Sequence, residues 1–153
     1  MNKYVVYNSH YQVLICKAHQ YAFTSESMMR HFRNEHKELS LQTRQEIIHY
    51  ASTMNIADAE QLSYSIDRIT PIPYLKIVEG YQCQFTLCCK ILGTLDSVKK
   101  HCKLEHEWSA KNGECWTKTR AQTFYSGNER RYFIIIMLLT VDTLPYMNRM
   151  HCR

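Results

Sequence analysis

Glycine and proline are scarce in this chain, 4 and 3 of 153 residues, which excludes collagen-like, linker-like and low-complexity architectures. A strong excess of one charge is missing too. Nineteen basic against 14 acidic residues leave a formal +5, and the sequence pI of 8.8 falls short of the pI of about 9 and above that marks a nucleic-acid footprint. No apolar run is long enough to cross a bilayer. The most apolar, YFIIIMLLTV from Tyr132 to Val141, is about half the length of a spanning helix and reads as a buried strand or helix. The N-terminal MNKYVVYNSHYQVLICK has no apolar core followed by small residues, so export is not expected; an intracellular protein of nucleus or cytoplasm is, with no membrane partner. Paired carboxylates, a nucleophile elbow and a phosphate loop are absent as well. Neither an enzyme nor a small-molecule substrate is therefore expected.

What remains is a globular composition, 45% hydrophobic and 22% charged, with 11 tyrosines to make the core aromatic. The length suits one ordinary domain or two small ones. Seven cysteines are present. An odd number without an export signal points to thiols that serve as metal ligands or as core residues, since a reducing compartment keeps disulfides from persisting.

The chain matches itself at an offset of 70 residues, TSESMMRHFRNEHK against TLDSVKKHCKLEHE. Thr24, Ser27, His31, Glu35 and His36 recur as Thr94, Ser97, His101, Glu105 and His106, and each copy has a cysteine-bearing stretch upstream of its histidines. In the second copy Cys83, Cys88, His101 and His106 follow C-x4-C-x12-H-x4-H, with Tyr81, Leu92 and Val98 at the apolar positions. This is the spacing of a ββα zinc finger: a hairpin presents two thiolates, one helix face presents two imidazoles, and zinc joins them. A unit this small cannot bury enough apolar surface to hold itself, whereas structural zinc contributes about 10 to 16 kcal/mol of apparent binding energy. Cys88 and Cys89 compete for the second ligand position. Only Cys88 sets Leu92 and Val98 at the packing distances, so Cys88 is the expected ligand, with Cys89 and Cys102 as bystanders.

The first copy departs from the pattern. Cys16, His19, His31 and His36 run C-x2-H-x11-H-x4-H, an imidazole standing where the second thiolate belongs. One Cys and three His are acceptable to zinc, though less thiolate-rich. The alternative is a degenerate finger held by Phe23, Met28 and Phe32 as an ordinary small core.

Longer segments carry a resemblance. YQVLICKAHQYAF, PIPYLKIVEGYQC, KKHCKLEHEW and GECWTKTRAQTFYSGNERRYFII resemble successive segments of the fungal orsellinic acid biosynthesis cluster protein D family, from about Tyr11 to Ile135. The resemblance implies a fungal intracellular protein with two zinc-finger-like segments and no established chemistry; His19 departs from the cysteine usual at its position.

Between the copies, Leu41 to Met54 sets Ile47, Ile48 and Ala51 on one side of a helix, a second short helix is expected from about Asp58, and Pro71 and Pro73 end regular structure. Beyond Trp116, KTRAQTFY and RRYFIIIMLLTV flank SGNE, as in a hairpin turning at Gly127 and Asn128. His151 and Cys152 read as terminal residues rather than further ligands. The expected fold is thus α+β: a degenerate finger unit at 1–37, a helical spacer at 38–75, a second finger at 76–116, and a hairpin or strand tail at 117–153.

Two functions follow. One is an interaction or regulatory module, in which zinc fixes a scaffold for another protein. The other is a DNA-binding regulator reading bases through Thr24, Ser27 and Arg30 of one helix and Thr94, Ser97 and Lys100 of the other. The long spacer and the balanced charge of the second helix disfavour the DNA reading.

Overall fold

The computed structural model describes residues 3–57, 62, 69–127 and 130–136. Among them the chain is α+β, with three α-helices and two antiparallel sheets. It divides into two compact units, one drawing on Met1–Tyr64, Ile72–Lys76 and Thr123–Arg131, the other on Ser65–Pro71, Ile77–Gln122 and Tyr132–Arg153.

In the first unit, strands β1 (Val5–Asn8), β2 (Val13–Cys16) and β3 (Tyr21–Phe23) form a sheet in that order. Helix α1 (Ser25–Glu35) follows at once. Its start is set by Thr24, whose hydroxyl accepts from the Ser27 amide while the Ser27 side chain takes the Thr24 amide, a reciprocal cap that satisfies two otherwise orphaned donors. Within the stretch read as a spacer, α2 (Leu41–Ser52) begins at Ser40, which caps the Thr43 amide. Helix α2 packs its Ile47 and Ala51 into the same core as Val5, Leu14, Phe23, Met28 and Phe32. The helix expected from Asp58 lies outside the described residues.

The second unit repeats the scheme. Strands β4 (Val78–Cys83) and β5 (Ile91–Leu92) pair antiparallel and lead into α3 (Leu95–His106), capped by Thr94 on the Ser97 amide. The sheet is completed by β6 (Trp116–Thr123) and β7 (Tyr132–Ile134), in the order β5-β4-β6-β7. The core is smaller: Cys83, Val98, Cys102 and Trp116 are buried, with Tyr81, Phe85, Leu92 and Trp108 packed around them. Gly93 makes room for β7, since a Cβ there would stand 2.5 Å from the Tyr132 hydroxyl.

The two sheets share a plan that the repeat does not signal. In each, the central strand ends on a cysteine, one neighbour is the strand just before the helix, and the other comes from elsewhere in the chain. Leu14 faces Phe23 as Tyr81 faces Leu92, and Cys16 faces Val5 as Cys83 faces Trp116. The third strand thus enters from the N-terminal side in one unit and from beyond the helix in the other.

The tail is drawn into both units. Strand β6 runs beside β4 from Cys83↔Trp116 to Val78↔Ala121, and β7 lies next to β6, with the Ile135 amide donating to the Arg120 carbonyl. The Arg130 amide bonds to the Gly127 carbonyl, but the strands themselves stop at Thr123 and resume at Tyr132, so the connection is longer than the hairpin expected. The segment from Thr123 belongs to the first unit, where the Phe124 carbonyl accepts from the Ala22 amide and Phe124 stacks near Tyr11. Two aromatics of this connection, Phe124 and Tyr125, are buried, and burying them favours ending β6 before them. Asn128, His151 and Cys152 lie outside the described residues.

Because Ile47 is fully buried against α1, Ile47→Ala should cost about 2 to 5 kcal/mol in chemical denaturation of the metal-loaded protein. A helix that served only as a spacer would give a change near zero.

Candidate metal centres

Each unit gathers four donor side chains. Cys16, His19, His31 and His36 form one cluster, Cys83, Cys88, His101 and His106 the other, and within each the ligand-type atoms all lie within 4.8 Å of one another. The first and third members of each set come from a strand end and from a helix; the second comes from the loop that follows the cysteine-bearing strand.

That loop is built alike in both units. The residue after the second donor has a left-handed backbone, Gln20 at φ 58° and Cys89 at φ 46°, and Leu87 before Cys88 is left-handed too. Such conformations are uncommon for side-chain-bearing residues and persist where the surroundings over-determine them. Here they fold the loop back so that the second donor faces the first: the His19 amide lies 3.5 Å from Cys16 Sγ, and His19 Nδ1 3.4 Å from the same sulfur.

On the helices, a spacing of five residues between the two histidines puts the last one at or just past the final turn. His36 is the C-cap of α1; His106 ends α3, with left-handed Glu107 closing the helix. Cys16 Sγ stands 3.2 Å from His36 Nε2, and Cys88 Sγ 3.1 Å from His101 Nε2. Phe32 stacks on His36 and Phe85 on His106, shielding one face of each cluster.

The electrostatics are compatible with a bound cation. Burial raises the Cys16 and Cys88 thiols above their ordinary range, and burial lowers His31 to about 4, helped by the neighbouring His36 and His19. His101 is likewise lowered by burial. Neutral imidazoles beside thiols are a ligand set awaiting a positive charge. Two ring nitrogens make the same point, for His31 Nε2 and His106 Nε2 are buried without a hydrogen-bond partner among the described residues. Each belongs to a cluster where a metal would take its lone pair.

The first centre also has orienting partners. Tyr21 Oη lies 2.9 Å from His31 Nδ1, and Glu38 Oε1 lies 3.2 Å from His36 Nδ1. Each occupies Nδ1 and leaves Nε2 for the cluster, as outer partners of metal-bound histidines do. Sequence reading missed both residues. The signal for Glu38 was a carboxylate two places after His36, where the second copy has Trp108.

Cys89 is not part of the second cluster; it is disulfide-bonded, against the expectation that the cysteines are thiols throughout. Cys102, buried, sits 3.8 Å from Cys83 sulfur to sulfur, behind the cluster rather than in it. The six helix residues considered for bases are split. Thr24, Ser27, Thr94 and Ser97 spend their hydroxyls on the caps of α1 and α3, whereas Arg30 and Lys100 are exposed.

Fold and centres together define a small α+β protein with two Cys/His groups, each able to hold a metal ion. The chain belongs to the orsellinic acid/F9775 biosynthesis cluster protein D family, whose pattern it matches over residues 3–107, a span that contains all eight donors. No curated protein and no solved structure matches it. None of the helices among the described residues is long and apolar enough to cross a membrane.

The two centres should separate on chelation. The first, with one thiol against two, should give up its ion to a weaker chelator, yet α1 and α2 should persist on their larger core. The second should hold its ion longer and lose α3 with it, as read by metal analysis alongside NMR of the Ile47 and Val98 methyl groups. Cys88→Ser should remove one ion per chain and Cys102→Ser none; loss of an ion from the Cys102 variant would redraw the ligand set.

Proposed function

We propose that the protein is a non-enzymatic zinc protein, each centre a structural site in a finger-like unit, and that its role is to present a protein-binding scaffold. The convergence of four donors in both units carries the proposal. Zinc at about 2.3 Å from sulfur and about 2.0 to 2.1 Å from nitrogen sets neighbouring tetrahedral S and N ligands about 3.5 Å apart. The sulfur–nitrogen distances of 3.1, 3.2 and 3.4 Å lie close to that. Thiolate and imidazole donors favour zinc over calcium or magnesium, which take oxygen.

Two features support the finger reading of the second unit: hairpin and helix follow one another as β4, β5 and α3, and both thiols lie on the hairpin side. The first unit is a variant with three strands and an added helix. Four protein ligands leave no position for an activated water, which supports a structural rather than a hydrolytic role. The cluster thiols Cys16, Cys83 and Cys88 are free, as metal binding requires; an intracellular setting, nucleus or cytoplasm, is the reading we keep from the sequence.

A protein partner is preferred to DNA because of the caps. In a groove-reading finger the side chains around the helix start meet base edges. Here four of the six are hydroxyls already bonded within the helix turn, leaving Arg30 and Lys100 as the remaining readers. The zinc-loaded protein should therefore show, by fluorescence anisotropy, no duplex binding tighter than the general nonspecific range of about 10⁻⁴ to 10⁻⁶ M at physiological salt. Nanomolar binding that weakens steeply with salt and is lost in Arg30→Ala would reverse the preference. Elemental analysis of the purified chain should find two zincs; iron or none would refute the assignment.

A further inference from the structure

The first unit has an open groove between α1 and α2, about 460 Å³ in volume, which the metal centre does not use. Its apolar lining includes Met29, Leu41 and Ile48; Met29 is 64% exposed and Leu41 66%, high values for large apolar side chains. Arg30, Arg33 and Arg44 stand around it, against a single carboxylate, Glu26. Three guanidinium groups against one carboxylate make the rim of the groove cationic.

We propose that this groove docks an amphipathic helix of a partner protein, apolar on the face it buries and acidic along its flanks. The proposal rests on the protein-binding role argued above and names its surface and the chemistry of the partner. Helix-in-groove recognition places side chains spaced i, i+3, i+4 and i+7 into such an apolar channel, and carboxylates beside them would meet the guanidinium groups of the three arginines. A nucleic-acid backbone would meet the arginines but leave Met29 and Leu41 unused. A second copy of this chain is disfavoured by its own charge of +5.

The test uses the full metal-loaded chain and three labelled probes: a synthetic helix with leucines at i, i+3, i+4 and i+7 and glutamates on both flanks, the same leucines flanked by lysines, and a duplex DNA. Anisotropy should show the acidic helix binding best, with amide shifts in NMR centred on Met29, Leu41 and Ile48. Arg33→Glu combined with Arg44→Glu should weaken it at least about tenfold, as should Met29→Ser with Leu41→Ser. Two bound metals and an unchanged circular dichroism spectrum certify that each variant is folded. Equal binding of acidic and basic helices, or variants that bind as the parent does, would overturn the proposal. Shifts confined to another face would discard the groove while leaving a protein-binding role standing. Duplex DNA binding in preference to either helix, with a steep salt dependence, would discard both.

Discussion

In each unit a strand end and a helix end meet around a cluster of Cys and His donors. Cys16 is fully buried, His31 Nε2 and His106 Nε2 have no hydrogen-bond partner among the described residues, and burial pushes His31 and His101 toward neutrality. Without a cation these groups would be a cluster of desolvated polar atoms, each costing free energy. With one, the same cost becomes a clamp between sheet and helix. The left-handed residues at Gln20 and Cys89 belong to this arrangement, because they turn the second donor inward.

The two units lean on that clamp to different degrees. Among the described residues, the buried cluster packed beside the first centre has eight members, drawn from three strands and two helices, and that beside the second has four. Apolar burial contributes about 25 cal/mol per Å², so the smaller core leaves more of the stability of the second unit to its ligands. The donor sets run the same way: two thiols where the core is thin, one where it is thick. His19, standing where the second unit has Cys88, falls in the unit best able to tolerate a weaker site. Tyr21 and Glu38, which fix two of its imidazoles, offset part of what the lost thiolate takes away.

Local spacing made the centres legible. The repeat singled out all eight donors because ligand positions are fixed by hairpin and helix geometry, which a short stretch of sequence encodes completely. Cys88 was separable from Cys89 for the same reason, since only one of them keeps Leu92 and Val98 in phase. Long-range pairing was not legible. Nothing in WTKTRAQT says that β6 will cross back to β4, because that pairing is decided by competition among half-buried strands of similar composition. The outer partners were hidden for a related reason: Tyr21 and Glu38 act through a distance and an angle, and their spacing carries no motif.

The interleaving of the chain bears on how the units form. The first is complete only when Ile72–Lys76 and the segment from Thr123 have joined it. The Lys76 amide bonds to the Gln20 carbonyl, and the Ala22 amide to Phe124, so the loop carrying His19 and the strand after it are each tied to residues tens of positions away. Such contacts are slow to form, because loop closure must be met before they return any stability. Metal binding does not share that delay. Both donor sets close within about twenty-five residues of sequence, and a cation that binds a folded site but not an open chain stabilises it by mass action. The centres can therefore act first, holding each cysteine-bearing strand against its helix while the distant strands find their places. In that order bound ions would shape more than the two small sites they occupy, because they would fix the templates on which β6 and the Phe124 segment assemble.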